Sequence, residues 1–191
     1  MTKESPAMQT EQATSGQWTD SAAPTGEAVL RELEKNGVRF VVTVPDWVQM
    51  PLHRALEQQR KIRTLSCCTE HEAFMIAGGL HIGGSRSAIV VQQQGLYAGL
   101  NALRGIGLDT GIPLVILMGQ FGRETENFGE SPRKSKRRIV RMLEPLLETL
   151  EIPFWKIERA DQVGRISEAY ADAAERSAPA AVIFDRNLSW N

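Results

Sequence analysis

Thr69-Glu70-His71-Glu72-Ala73-Phe74-Met75-Ile76-Ala77-Gly78-Gly79-Leu80-His81-Ile82-Gly83-Gly84 follows a short apolar run, Ile62 to Cys68, that reads as a strand. Thr69 and Glu72 have the spacing of a capping box, so a helix is expected to start there. Ala73, Met75, Ile76, Ala77 and Leu80 make it apolar on most faces, which predicts a buried helix. Gly78 and Gly79 inside it each cost roughly 1 kcal/mol against alanine, which points to close approach by another backbone or a ligand. Gly83-Gly84 supplies the stop. This leaves the carboxylate of Glu70 at a strand-to-helix corner, off the carboxyl edge of a sheet. That corner is the candidate active site.

Outward from it the pattern is regular. Toward the N-terminus, Thr25 caps a helix that runs to Asn36-Gly37 with Ala28, Val29, Leu30 and Leu33 on its inner face. Phe40 to Val44 is a continuous apolar and β-branched run, the mark of a strand buried on both sides. Pro45-Asp46 closes it, and a helix over 48–59 follows. Toward the C-terminus the expected order is a strand at 87–91 ending in Gln92-Gln93-Gln94-Gly95, a helix at 97–106 and a strand at 113–118. Then come a long polar segment from Gly119 to Ser135, a helix at 138–150, a strand at 154–157, a helix at 160–177 and a strand at 181–184. Six strands alternating with helices predict a mostly parallel α/β sheet covered on both faces. Residues 1–23 are rich in Ser, Thr, Gln and Glu without periodicity and read as a disordered tail, Trp18 included. Residues 24–191 form one α/β domain.

Composition narrows the function. At 191 residues and 42% apolar the chain can bury a proper core, and a net charge of -1 offers nothing to nucleic acid or a membrane surface. The longest apolar runs fall well short of the ~20 residues that a membrane span needs. With no apolar signal core, the expected location is cytoplasmic. Cys67 and Cys68 are neighbours in one strand and point to opposite faces, which argues against a disulfide framework or a zinc site. His53, His71 and His81 are scattered and lack metal-ligand spacing, so no metal site is expected on this chain. There is no Gly-x-Gly-x-x-Gly, no phosphate-cradling Gly-x-x-x-x-Gly-Lys and no Gly-x-Ser-x-Gly elbow.

Ligands of open parallel sheets bind beyond the carboxyl ends of the strands. Asp46, Glu70 with His71, Gln93 and Gln94, and Gln120 with Arg123 sit there. Each has a plainer reading. Glu70 reads equally as an acid drawn to the first turn by the helix dipole. Glu72 reads as a cap, His71 as a solvated or interface residue, and His81 as a packing residue. Alternation along a strand lets only one of Gln93 and Gln94 face a ligand. Arg133-Lys134-Ser135-Lys136-Arg137-Arg138 reads first as a solvated face leading into a helix.

Taken together, Glu70 with Ala73, Ile76-Ala77-Gly78-Gly79, then Gln94-Gly95, Asn101-Ala102-Leu103 and Gly111-Ile112-Pro113-Leu114 resembles the pyrimidine-binding domain of thiamine diphosphate enzymes. Phe40-Val41-Val42-Thr43-Val44-Pro45 and Leu146-Leu147-Glu148-Thr149-Leu150-Glu151-Ile152-Pro153-Phe154 extend the likeness to the sulfopyruvate and phosphonopyruvate decarboxylase group, its separate alpha subunit above all. The resemblance runs from Gly26 to Leu188 and implies the thiamine diphosphate-binding fold, a three-layer α/β/α arrangement. It implies that Glu70 is catalytic, hydrogen-bonding the aminopyrimidine N1′ so that the exocyclic nitrogen can take the proton from thiazolium C2. Gln94 and Gly95 then join Glu70 in holding the cofactor, with Asp46, His71, Gln93, Gln120 and Arg123 toward a 2-oxo acid substrate. Arg123 is expected to meet the substrate's acid group from a mobile cover formed by 119–135.

In such enzymes Mg2+ and the diphosphate are held by a second domain marked by Gly-Asp-Gly, which this sequence lacks. The resemblance therefore implies a beta subunit that carries those ligands, in a hetero-oligomer of two alpha and two beta chains or larger. The reading is a subunit of a thiamine diphosphate-dependent 2-oxo acid decarboxylase, a carbon–carbon lyase active only with its partner. The alternatives are a carboligase subunit or a non-catalytic α/β scaffold. Thr69-Glu70-His71-Glu72 and Gln120-Phe121-Gly122-Arg123 both depart from the decarboxylase pattern and leave the 2-oxo acid open.

Overall fold

Runs of apolar and β-branched residues at strand length bury a strand on both faces, and the sheet is built from such runs. The computed structural model describes residues 23–190, so the expected tail over 1–23 lies, but for its last residue, outside them. The strands are β1 (Phe40–Thr43), β2 (Arg63–Ser66), β3 (Ser87–Gln92), β4 (Val115–Gly119), β5 (Phe154–Ile157) and β6 (Ala180–Phe184). They form one six-stranded sheet in the order β2-β1-β3-β4-β6-β5. Every pairing is parallel. All carboxyl ends therefore share one edge, and the chain reverses its winding between β1 and β3, which opens a crevice at that edge.

The helices are α1 (Gly26–Lys35), α2 (Met50–Glu57), α3 (Glu70–Ile82), α4 (Gln93–Ala98), α5 (Leu100–Ala102), α6 (Arg138–Arg141), α7 (Leu143–Thr149) and α8 (Arg165–Arg176). Strand alternation divides the core in two. Val41, Val90, Leu117 and Val182 pack with α1, α2 and α8, while Val42, Ile89, Met118 and Ile183 pack with α3, α4 and α7. This is the expected three-layer α/β/α architecture. Thr25 caps α1 as anticipated, its hydroxyl accepting from Ala28 N at 3.1 Å, and Gly37 ends it at φ 69°.

Four local expectations need correcting. The strand after α2 is apolar only in part. It lies at the sheet edge, and Arg63, Thr64 and Ser66 are exposed, as befits a strand paired on one side only. Helix α3 buries one face only: Ala73, Phe74, Ala77 and Gly78 meet the sheet, while Met75 and Ile82 are 46% and 79% exposed. A helix covering a sheet near its edge has a single apolar stripe to bury, however apolar its other faces are. The close approach inferred at Gly78 is real but is made by a side chain, since an added Cβ would strike Ile106; at Gly79 it would meet nothing. Finally, the helix expected at 97–106 begins at Gln93 and widens into a π-helical run, Leu103–Asp109. There Thr110 Oγ1 donates to the carbonyl of Gly105 at 3.2 Å and to that of Ile106.

Candidate active site

Two charged corners stand at the carboxyl edge. The first begins at Thr69, whose hydroxyl accepts from Glu72 N at 3.3 Å, while Glu72 Oε2 accepts from Cys68 N at 2.9 Å. This reciprocal cap satisfies backbone donors at the start of α3 without using Glu70. Glu70 is half-buried, and among the described residues no hydrogen bond or ion pair reaches its carboxylate. It lies against α4 where that helix has no side chain. A Cβ on Gly95 would overlap Glu70 Cγ and sit 3.0 Å from its Oε1. Glycine at 95 is therefore a spatial requirement of Glu70, which the sequence signals only as Gln94-Gly95. Beside it the buried Oε1 of Gln94 has no hydrogen-bond partner. His71 is exposed in the first turn of α3.

Because α4 starts at Gln93, strand alternation does not decide between Gln93 and Gln94; the helix does. Gln93 is fully buried and clasps the end of β4: Phe121 N donates to its Oε1 at 2.7 Å, and its Nε2 donates to Phe121 O at 2.5 Å. Its carboxamide holds the chain's own backbone. Gln120 is the opposite case, 3% exposed with neither Nε2 nor Oε1 partnered.

Asp46 is also turned inward. It accepts from Val48 N at 2.5 Å, from Gln49 N at 3.3 Å and from Gln49 Nε2 at 2.6 Å, and it packs where a Cβ on Gly119 would fall 2.5 Å from its Oδ2. Burial pushes its carboxyl up, against the pull of Gln49 and backbone hydrogen bonds. It builds the turn after β1. Gln49, which the sequence did not single out, extends that turn. Its Nε2 also donates to Val91 O at 3.1 Å and Leu117 O at 3.3 Å, tying the ends of β1, β3 and β4 together. The signal for it was Asp46 three residues before an amide at a helix start.

The second corner surrounds Arg123, whose side chain is 1% exposed. Nε donates to Asn127 Oδ1 at 3.0 Å, and Nη2 donates to the carbonyls of Asn127 at 3.1 Å and Glu130 at 2.7 Å. Nη1 meets Glu158 at 3.4 Å and Asp185 at 3.2 Å. Hydrogen bonds to Asn127, Glu130 and Glu158 occupy four of the guanidinium's five N–H donors, and Asp185 stands beside it as an ion pair without a hydrogen bond. The segment 119–135 is accordingly tied down, with Glu124 accepting from Ser135 Oγ at 2.6 Å and from Lys136 N at 2.8 Å. In this arrangement Arg123 holds 119–135 to Glu158 and Asp185. Of the basic run, Arg133 pairs with Glu144 and Glu148, and Lys134 with Glu130. Asp185 is buried between Arg123 and Lys156. Burial pushes its carboxyl up, and the two cations oppose that.

Among the described residues, no group of three or more His, Cys, Asp or Glu side chains is placed to hold a metal ion, and no helix is long and apolar enough to cross a membrane. An open groove of about 610 Å³ between α2 and β2, lined by residues such as Thr43, His53, Arg60 and Ser66, lies on the α2 side of the sheet, away from α3. What remains at the Glu70 corner is a free, half-buried carboxylate against Gly95, next in the chain to Gln94 with its unpartnered buried Oε1. Such a group can hydrogen-bond a ring nitrogen and exchange a proton with it.

The family described as thiamine pyrophosphate enzyme, N-terminal TPP binding domain, matches residues 24–142. The chain is 26% identical over 164 residues to the sulfopyruvate decarboxylase subunit alpha of Methanocaldococcus jannaschii, covering 85% of this chain and 94% of that protein. It is 26% identical over 168 residues to the protein of that name from Methanococcus maripaludis, covering 86% and 95%. It is also 27% identical over 173 residues to the acetolactate synthase isozyme 1 large subunit of Escherichia coli, covering 84% of this chain and 30% of that protein.

Proposed function

Since the chain belongs to the thiamine pyrophosphate enzyme family by its N-terminal TPP binding domain, we propose that it is the pyrimidine-binding alpha subunit of a heteromeric thiamine diphosphate-dependent 2-oxo acid decarboxylase, similar to the sulfopyruvate and phosphonopyruvate group. The observation that carries this reading is Glu70. It is the one acid of the carboxyl-edge candidates without an internal partner among the described residues, and Gly95 makes room for it. Glu70, Gln94 and Gly95 fit one edge of an aminopyrimidine: a carboxylate to bond N1′, an unpartnered buried acceptor, and a surface with no side chain in the way.

The cofactor, when bound, supplies the electron sink for loss of carbon dioxide from the 2-oxo acid. Glu70 holds a proton at N1′ and returns it, which is general acid–base work by a single residue. Phe74 and Leu96, both buried beneath the corner, keep water from its base. Residues for magnesium and diphosphate are supplied by a beta subunit in this proposal. The sequence has no Gly-Asp-Gly, and the relatives that it spans almost end to end are themselves named alpha subunits. The similarity to an acetolactate synthase large subunit favours a second reading, in which the same corner serves carboligation.

The test is Glu70→Gln in the chain co-purified with a partner that carries Gly-Asp-Gly. Exchange of the cofactor C2 proton for deuterium and turnover of 2-oxo acids are expected to fall by about 10²-fold or more, with cofactor and partner still bound. Glu72→Gln, which keeps the cap, is expected to leave both near wild type. Equal, near-wild-type exchange in the two variants would overturn the assignment.

A further inference from the structure

We propose that Asp185 and Glu158 share one proton, and that this proton sets how firmly Arg123 anchors the segment 119–135 at the carboxyl edge. The device lies within this chain and does not depend on the cofactor. Both carboxylates stand on one nitrogen, Arg123 Nη1, with Glu158 Oε1 at 3.4 Å and Asp185 Oδ2 at 3.2 Å. Asp185 is 1% exposed, and among the described residues neither of its oxygens accepts a hydrogen bond. An ionised carboxylate buried in that way has lost the donors that it had in water, which native chains rarely tolerate. A protonated one needs an acceptor instead, and the Glu158 carboxylate lies within reach of its O–H.

The charges around the pair call for the same proton. Two cations, Arg123 and Lys156, face three carboxylates, Asp185, Glu158 and Glu144. Of the other cations nearby, Arg133 is shared between Glu144 and Glu148, and Arg159 pairs with Asp161. Arg165 of α8 donates to the Lys156 carbonyl, and Arg186 lies over the Phe128 ring. One negative charge is thus in excess where burial is deep, and a shared proton removes it. Burial draws Lys156 down, but Asp185 and Glu144 outweigh that and keep it charged. Burial pushes the Asp185 carboxyl up to about 7; Lys156 and Arg123 oppose this, and Glu158 adds to it. A carboxyl held above its ordinary 3.8 stabilises the anchored segment fully below that value, and the contribution is lost as pH rises toward about 7. The effect reaches the first corner, since 119–135 contains Phe121, which Gln93 clasps at the start of α4.

Carbon-13 NMR of the full chain, with its Asp side-chain carboxyl carbons labelled, tests this over about pH 4–9. One resonance is expected to titrate near neutral pH and to be missing from Asp185→Asn. Glu158→Gln is expected to lower its midpoint by about one unit or more and Lys156→Met to raise it, opposite shifts that a purely structural role would not produce. Asp46, which burial also raises, is told apart because neither substitution touches it. In parallel, amide hydrogen exchange of 119–135, corrected for intrinsic rate, reads the opening of the segment. That opening is expected to grow by up to about 10-fold per pH unit until the midpoint and then to level off, a slope that Asp185→Asn flattens. If Asp185→Asn fails to fold, the opposite shifts in the other two variants assign the resonance on their own. An Asp185 carboxyl that titrates in the ordinary carboxylate range, or a midpoint that Glu158→Gln leaves unmoved, overturns the shared proton. An opening of 119–135 that is independent of pH in the wild type overturns its control of the anchor.

Discussion

Glu70 and Arg123 both stand just past the carboxyl end of a strand, and by sequence position both look like ligand contacts. The structure separates them. Glu70 has its neighbouring donors satisfied by Thr69 and Glu72 and is left with a free carboxylate, whereas Arg123 is enclosed by Asn127, Glu130, Glu158 and Asp185. A charge with every partner supplied from within holds the fold together. A half-buried charge with none is available for chemistry. Asp46 and Gln93 fall on the Arg123 side of this division, and Gln94 and Gln120 on the Glu70 side.

The division can be broken most directly at Arg123. Arg123→Ala leaves Asp185 buried with only Lys156 beside it, so urea unfolding is expected to show a loss of about 3–5 kcal/mol. A loss below about 1 kcal/mol, the scale of an exposed pair, would return Arg123 to the substrate contacts. Glu70→Gln should give the reverse pattern, with stability unchanged to within about 0.5 kcal/mol, as for a side chain without internal partners. Gly95→Ala sharpens the contrast. The new methyl overlaps Glu70 Cγ, so a destabilisation of about 1–3 kcal/mol is expected together with lost C2-proton exchange. Full exchange in that variant would show that Glu70 can work from another position.

The smallest effect lies at the turn after β1, on the α2 side of the sheet. His53 is buried and accepts from Asp46 N at 3.4 Å, and burial holds it below its ordinary 6.5, with Glu57 opposing. The unfolded chain takes up this proton as pH falls below about 6.5 while the folded one does not, so stability is expected to decline over that range. Replacing His53 by Gln should flatten that limb of the pH–stability curve. An unchanged limb would show that His53 titrates alike in both states.

Most of the architecture was legible because it depends on local pattern. Phe40–Thr43 and Phe154–Ile157 begin and end within a residue of their sequence-based bounds, and the caps at Thr25 and Thr69 lie where side-chain chemistry demands them. Exposure was less legible. The apolar faces of α3 suggested full burial, yet the position of β2 at the sheet edge leaves Met75 and Ile82 uncovered. The start of α4 at Gln93 was also hidden, because a polar residue following a strand does not announce whether the chain turns at once.

The sequence by itself determined the parallel α/β sheet, the helix start at Thr69 and the placing of a carboxylate at that corner, since periodicity, caps and β-branched runs act over a few residues. Only the tertiary structure decided which polar side chains remained free. Arg123 meets Asp185 just past β6, Gln93 meets Phe121 past β4, and Glu70 meets the bare surface of Gly95, all partners supplied by segments remote in sequence. Whether a charged or amide group is satisfied depends on what packing brings within about 3 Å of it, and that distance is set by the assembled sheet and its covering helices.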